Sequence, residues 1–97
     1  MPDLLALALT HAICNAVTEV RPLTDREVKV CLHNWHDLKS QFEPDLGTAE
    51  FGDPNLRRLQ SSAYAQWKAW ERDNPDIAAE LRAEAELRAA EAVRPGF

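Results

Sequence analysis

The sequence predicts an all-α fold, a small helical bundle of three core helices followed by an acidic, alanine-rich fourth helix. Glycine is scarce, with three in 97 residues, and no segment alternates apolar and polar residues as a half-buried strand would. Four segments instead combine helix start signals with apolar residues at helical spacing or with strong helix formers. A chain of this length has room for one core, so residues 1–97 are predicted to form a single domain.

The first helix is predicted over about residues 4–20, with Asp3 as its N-cap. Leu4 and Leu7 lie outside the main apolar face, so the helix is apolar nearly all round. Such a helix should be central to the fold or part of an oligomer contact. Its main face, predicted to be buried, consists of Leu5, Leu9, Ala12, Ile13, Ala16 and Val20.

The second helix, about residues 25–42, has the clearest start signal in the chain. Thr24 as N-cap and Glu27 three residues later predict a capping box. The helical pattern ends before Pro44, because the residue before a proline avoids helical geometry. The predicted buried face consists of Val28, Cys31, Trp35, Leu38 and Phe42.

Residues 43–53 are predicted to form a long acidic loop. The segment carries four acids and no base, and its apolar residues have no period. Connections between helices are usually shorter, and long loops are enriched in function. A surface crossover is the favoured interpretation, and the alternative is a contact loop that presents Leu46 and Phe51 to a partner.

A third helix is predicted over about residues 54–73. Asp53 is the expected N-cap and Pro54 the first helical residue, a favoured pairing. The predicted buried face consists of Leu56, Leu59, Ala63, Trp67 and Trp70.

The fourth helix, about residues 75–93, begins at a second proline, Pro75. It is rich in alanine, glutamate and arginine, whose high helix propensity sustains a helix with little packing. Its apolar face is thin, with Ile77, Leu81 and several alanines. Residues 75–97 are therefore expected to project from the bundle, to fray or to dock on a partner.

All five cysteine and histidine residues fall between positions 11 and 36, and these are the side chains that zinc prefers. Helical geometry separates them, because residues two apart on a helix point to different sides. This predicts a buried Cys31 and an exposed His33, with the remaining histidines on the surface. A zinc site is the less favoured alternative, and its ligands would be His11, Cys14, Cys31 and His36.

Composition points to a cytoplasmic protein that does not enter a membrane. The chain is 45% hydrophobic, with no apolar run long enough for a membrane span and no basic segment before its apolar N-terminal residues. Both cysteines are then expected to be reduced, although a disulfide between Cys14 and Cys31 is an alternative. No catalytic sequence motif occurs, so an enzyme is not expected and no cofactor is predicted.

A nucleic-acid binder is an alternative function, because basic residues recur along the third helix around Tyr64. The formal net charge of −5 repels phosphates, so nucleic acid is an unfavoured partner. The candidate surface consists of Arg57, Arg58, Ser61 and Lys68.

The favoured function is a non-enzymatic protein–protein interaction module, acting as an adaptor, inhibitor or assembly factor. Small acidic helical chains without catalytic motifs are common among phage and mobile-element regulators, and a homo-oligomer through the first or fourth helix is an alternative. Exposed aromatic residues are enriched at interface hot spots. The predicted partner-binding residues are Tyr64, Trp70, Leu81 and Leu87, with Leu46 and Phe51 of the acidic loop.

Overall fold

The computed structural model describes residues 3–92, and this part of the chain is helical without a β-strand. The all-α prediction is confirmed. The predicted end of the fourth helix at residue 93 and the tail to residue 97 lie outside the described residues. The elements are α1 (Leu4–Val20), α2 (Asp25–Phe42), a short 3₁₀ helix (Pro44–Gly47), α3 (Leu56–Asp73) and α4 (Pro75–Ala92).

The predicted start of α2 is confirmed in atomic detail. The Glu27 amide donates to Thr24 Oγ1 at 3.2 Å, and the Thr24 amide donates to Glu27 Oε1 at 2.8 Å. These reciprocal bonds satisfy two of the amide groups that a helix start leaves free. Arg21, just after α1, forms two further hydrogen bonds of 2.8 Å to the Glu27 carboxylate. One carboxylate therefore holds both sides of the α1–α2 connection.

The predicted start of α3 is wrong by two residues. The helix begins at Leu56, and Asp53 instead accepts a 2.7 Å hydrogen bond from the Asn55 amide. The Leu56 amide donates to the Asp53 carbonyl, at 3.0 Å. Aspartate side chains stabilise such local turns as readily as they cap helices. Residues 53–55 therefore form a turn ahead of the helix.

The predicted buried face of α1 is also wrong. Leu5 and Val20 of that face are exposed, whereas Leu7, Ala8 and Val17 are buried. Because the helix is apolar nearly all round, its periodicity did not determine which side the other helices would cover. The main core contains buried Leu7, Ala8, Leu38 and Trp67, with Leu4, Trp35, Phe42, Trp70 and Leu81 packed around them.

A buried polar contact joins α1 to α2 within this core. The side-chain amide of Asn34 donates a 3.0 Å hydrogen bond to the carbonyl oxygen of Leu7. Buried polar groups are costly unless they are paired, so this bond specifies how the two helices align. The predicted buried face of α2 is only partly buried. Leu38 on that face is fully covered, whereas Val28 is exposed.

The acidic loop folds back on α3 instead of presenting both of its large apolar residues to solvent. Leu46 lies in the 3₁₀ helix and is 1% exposed, whereas Phe51 is fully exposed. The prediction of Leu46 as a partner contact is therefore wrong. The loop is long enough to cover a second small core, formed by Leu46, Leu59 and Ala63 with Ala49 and Leu56.

The expectation that α4 projects from the bundle is wrong for the described residues. The helix packs along α1, and this is the most extensive helix pairing in the structure. Ala85 and Ala89 are buried in it, while Leu87 is exposed. Small side chains allow two helices to approach closely, so a thin apolar face is enough for docking. No helix within residues 3–92 combines the length and apolar character needed to cross a membrane.

Candidate binding cleft

A cleft of about 550 Å³ opens between α1, α3 and α4, and Trp35 of α2 also lines it. This volume lies in the range of small-ligand sites. The site is here called the aromatic cleft, because its walls include Trp35, Tyr64, Trp67 and Trp70. It combines these rings with charged side chains from three helices.

The rings form a continuous group. His11 stacks on Trp35, with centroids 4.5 Å apart and planes inclined by 15°, and it meets the edge of Trp67 at 5.8 Å. Trp67 in turn stacks on Trp70 at 5.5 Å, and Tyr64 meets the edge of Trp35 at 6.3 Å. Residues three apart on a helix share a side, so α3 presents Tyr64, Trp67 and Trp70 to the same cleft.

His11 is half-buried at the cleft and is not the surface histidine that the sequence predicted. Burial lowers the pKa of His11 below its ordinary 6.5, an effect that Glu71 opposes and Lys68 reinforces. The imidazole is therefore mostly neutral at pH 7. Its Nε2 lies 3.3 Å from Nδ2 of Asn15.

A charged edge accompanies the aromatic wall. Lys68 Nζ lies 3.0 Å from Oε1 of Glu71, and this pairing raises the pKa of Lys68. The Oε1 atom is buried, and among residues 3–92 no group donates to it in hydrogen-bond geometry. Lys68 therefore forms an ion pair with Glu71, but its ammonium group is poorly directed for a hydrogen bond to Oε1. Glu19, Arg82 and Glu86 complete the charged lining.

Cys14 and Cys31 form a disulfide between α1 and α2, with Cα atoms 6.0 Å apart. The expectation of reduced thiols is therefore wrong, because the packing of α1 against α2 brings the two sulfur atoms together. Cys31 is half-buried rather than buried, and His33 is exposed as predicted.

The four residues of the alternative zinc site are not placed to share one metal ion. Cys14 and Cys31 bond to each other, His11 stacks on Trp35, and His36 is exposed. Across residues 3–92 no three histidine, cysteine or acidic side chains are placed to share a metal ion.

Apart from the buried Leu46, the predicted partner-binding residues divide into two groups. Tyr64, Trp70 and Leu81 line the aromatic cleft, whereas Phe51 and Leu87 are exposed outside it. The sequence prediction missed the contribution of Trp35, Trp67 and Glu71 to the site, and it placed His11 on the surface although the residue is half-buried. The one signal in the sequence was the spacing of aromatic residues along α3, which places three rings on one side.

The basic residues predicted for nucleic-acid binding are only partly accessible to phosphates. Arg57, Arg58 and Ser61 are exposed near the start of α3. Lys68 lies at the aromatic cleft and pairs with Glu71. The four residues therefore do not form one uniformly cationic surface.

Comparisons with protein-family models, with curated proteins and with solved structures gave no match. The geometry of the aromatic cleft is therefore the basis for the function proposed below.

Proposed function

We propose that the chain is a non-enzymatic protein–protein interaction module, an adaptor, inhibitor or assembly factor, that binds its partner through the aromatic cleft. One observation carries this proposal: four aromatic rings contribute to the lining of a solvent-open cleft of about 550 Å³. Aromatic side chains dominate binding energy at protein interfaces because they bury a large area at a low entropic cost. The cleft has room for a few side chains of a partner.

The lining favours binding over catalysis by a hydroxyl or thiol nucleophile. The described residues of the cleft include no serine, threonine or cysteine that would serve as a nucleophile. His11 is held by stacking on Trp35 and lies beside Asn15. Its ring therefore serves as part of the wall.

The nucleic-acid alternative has less support. A phosphate approaching Lys68 would meet the Glu71 carboxylate 3.0 Å from its ammonium group. That leaves Arg57 and Arg58 as the cations of the predicted surface that form no ion pair within the described residues, fewer than phosphate binding by an acidic chain usually requires.

The disulfide argues against the cytoplasmic expectation, which implied reduced thiols. Disulfides persist in oxidising compartments and are rare in the cytosol. An oxidising compartment is therefore the location that fits the Cys14–Cys31 bond. The mass of the protein, isolated from its native source while free thiols are alkylated, tests whether the bond forms there. A disulfide prevents alkylation of both cysteines, so the mass stays unchanged.

Site-specific photo-cross-linking tests the proposed interface. A photoreactive amino acid replaces Tyr64 at the cleft, and matched controls carry it at the exposed positions Phe51 and Leu87. We expect a discrete cross-linked species in the native source from position 64 alone. Excess unlabelled protein should compete it away, and excess Trp70→Ala protein should not. Equal cross-linking at all three positions contradicts the proposal, and a cross-link to a second copy of the chain indicates a homo-oligomer instead.

A further inference from the structure

Building on the proposed function, we infer that the partner inserts a basic side chain, an arginine guanidinium or a lysine ammonium group, into the aromatic cleft. Three observations at the cleft favour a cation over an apolar or acidic group. They concern its charge, its exposed rings and one buried carboxylate oxygen.

The charge of the lining is complementary to a cation. Three carboxylates and two cations line the cleft, and the His11 ring is mostly neutral at pH 7. The cations are Lys68, which is paired with Glu71, and Arg82. Within the described residues Glu19, Glu86 and Arg82 make no ion pair, so the unpaired groups of the lining carry one negative charge in excess. The net charge of −5 adds a field that attracts a basic partner and repels an acidic one.

Two rings of the cleft are exposed enough for a cation to contact them. Tyr64 is 52% exposed and Trp70 is half-buried, so both remain accessible at the opening. Cations are attracted to aromatic faces within about 6 Å of the ring centroid. The protein already contains one such contact, because Lys39 Nζ lies 5.2 Å from the Trp35 centroid.

Glu71 supplies the acceptor that distinguishes a basic side chain from an apolar one. Its buried Oε1 lacks a well-directed donor in the described part of the chain, although Lys68 lies 3.0 Å away. A guanidinium group offers several N–H donors in a planar fork that matches a carboxylate. An apolar side chain in the same place would desolvate Glu71 further without donating to it. Lys68 is about half exposed and can turn to solvent when a stronger donor enters.

Titration of the intact, disulfide-bonded protein with a defined probe tests the inference. The probe is N-acetyl-arginine N-methylamide, and its matched control is the citrulline analogue, which has nearly the same shape and no charge. The readout is the NMR signals of the three indole N–H groups. We expect saturable shifts at Trp67 and Trp70 with the arginine probe, and binding weaker by about tenfold with citrulline, because a charge-assisted pair and a cation–π contact are lost.

Two glutamate variants separate a specific contact from general attraction. Glu71→Gln should weaken binding of the arginine probe by about fivefold, because it removes the charge of the acceptor. Glu80→Gln removes the same charge from an exposed position of α4 outside the cleft, and it should change binding by less than about twofold. If Glu71→Gln does not fold, Glu86→Gln replaces it as the cleft variant. Equal binding of both probes, or equal losses in the cleft and control variants, overturns the inference.

Failure of this inference is distinguishable from failure of the proposed function. If position 64 cross-links a partner while the arginine probe does not bind, the basic side chain is the wrong occupant and the interaction module stands. If the probe binds and no partner is cross-linked, the cation site stands and the protein–protein function falls.

Discussion

The imidazole of His11 stacks on the indole of Trp35, with centroids 4.5 Å apart. His11 lies three residues before Cys14, and Trp35 lies four residues after Cys31, so each pair shares one side of its helix. The stack and the disulfide therefore sit side by side between α1 and α2. A covalent bond fixes the helix pair that holds this part of the aromatic cleft.

Removing the disulfide should destabilise the whole chain. The bond closes a loop with a sequence separation of 17, for which the chain-entropy model gives about 3 kcal/mol. We expect the double variant Cys14→Ser/Cys31→Ser to lose about this much unfolding free energy in urea. The wild-type protein with reduced thiols serves as the comparison and should behave like the variant. A variant as stable as the oxidised protein would contradict this role for the bond.

Burial of His11 should make stability depend on pH near neutrality. Because its pKa is lowered in the folded state, the unfolded chain binds more protons below the ordinary pKa of 6.5. The contribution of His11 to the free energy of unfolding is fully present above pH 6.5. It declines as the pH falls toward the lower pKa of the folded state. The charged groups around the cleft are Glu19 on α1, Lys68 and Glu71 on α3, and Arg82 and Glu86 on α4.

Urea midpoints measured from pH 8 to pH 5 check this dependence. The urea midpoint should change less with pH in His11→Gln than in wild type. The exposed control His36→Gln should show the same change of midpoint with pH as wild type. Equal changes of midpoint in the two variants would show that His11 does not cause the dependence.

The Arg21–Glu27 pair should stabilise the fold down to strongly acidic pH. Hydrogen bonds from Arg21 and from Thr24 lower the pKa of Glu27 from 4.5 to about 2. Its contribution is present above pH 4.5 and is lost as the pH falls through about 2. The melting temperature should decline less between pH 5 and pH 2 for Glu27→Gln than for wild type. Glu50→Gln, a change at an exposed position of the acidic loop, should leave the decline unaltered.

Leu46 and Phe51 should respond in opposite ways to truncation, although the sequence assigned both to partner binding. Leu46 is 1% exposed against Leu59 and Ala63, so Leu46→Ala should cost about 2–5 kcal/mol of unfolding free energy. Phe51 is fully exposed, and Phe51→Ala should change stability by less than about 0.5 kcal/mol. Urea denaturation measures both, and a large loss for Phe51→Ala would contradict the exposed position.

Local structure was predictable from the sequence where one or two side chains determine it. The capping box of Thr24 and Glu27 specified the start of α2, because both partners lie within one turn. The buried face of α1 was not predictable, since apolar side chains surround that helix and tertiary contacts choose among them.

The site was harder to predict than the helices. Its residues come from four helices, and two of its polar members that are partly buried, His11 and Glu71, have no local signal of burial. The sequence did indicate that Tyr64, Trp67 and Trp70 are neighbours, because they are spaced three residues apart along α3. The docking of α4 was missed because alanines give a weak apolar signal, although Ala85 and Ala89 pack closely on α1.

The pairing of α1 with α4 links ligand affinity to folding. The two helices lie at opposite ends of the described residues. The walls that they contribute to the aromatic cleft therefore come together only when the intervening chain has folded. A ligand of the cleft therefore binds the native state and not the unfolded chain, and mass action raises the melting temperature with ligand concentration. Thermal shift thus becomes a general screen for occupants of the cleft, whatever their chemistry.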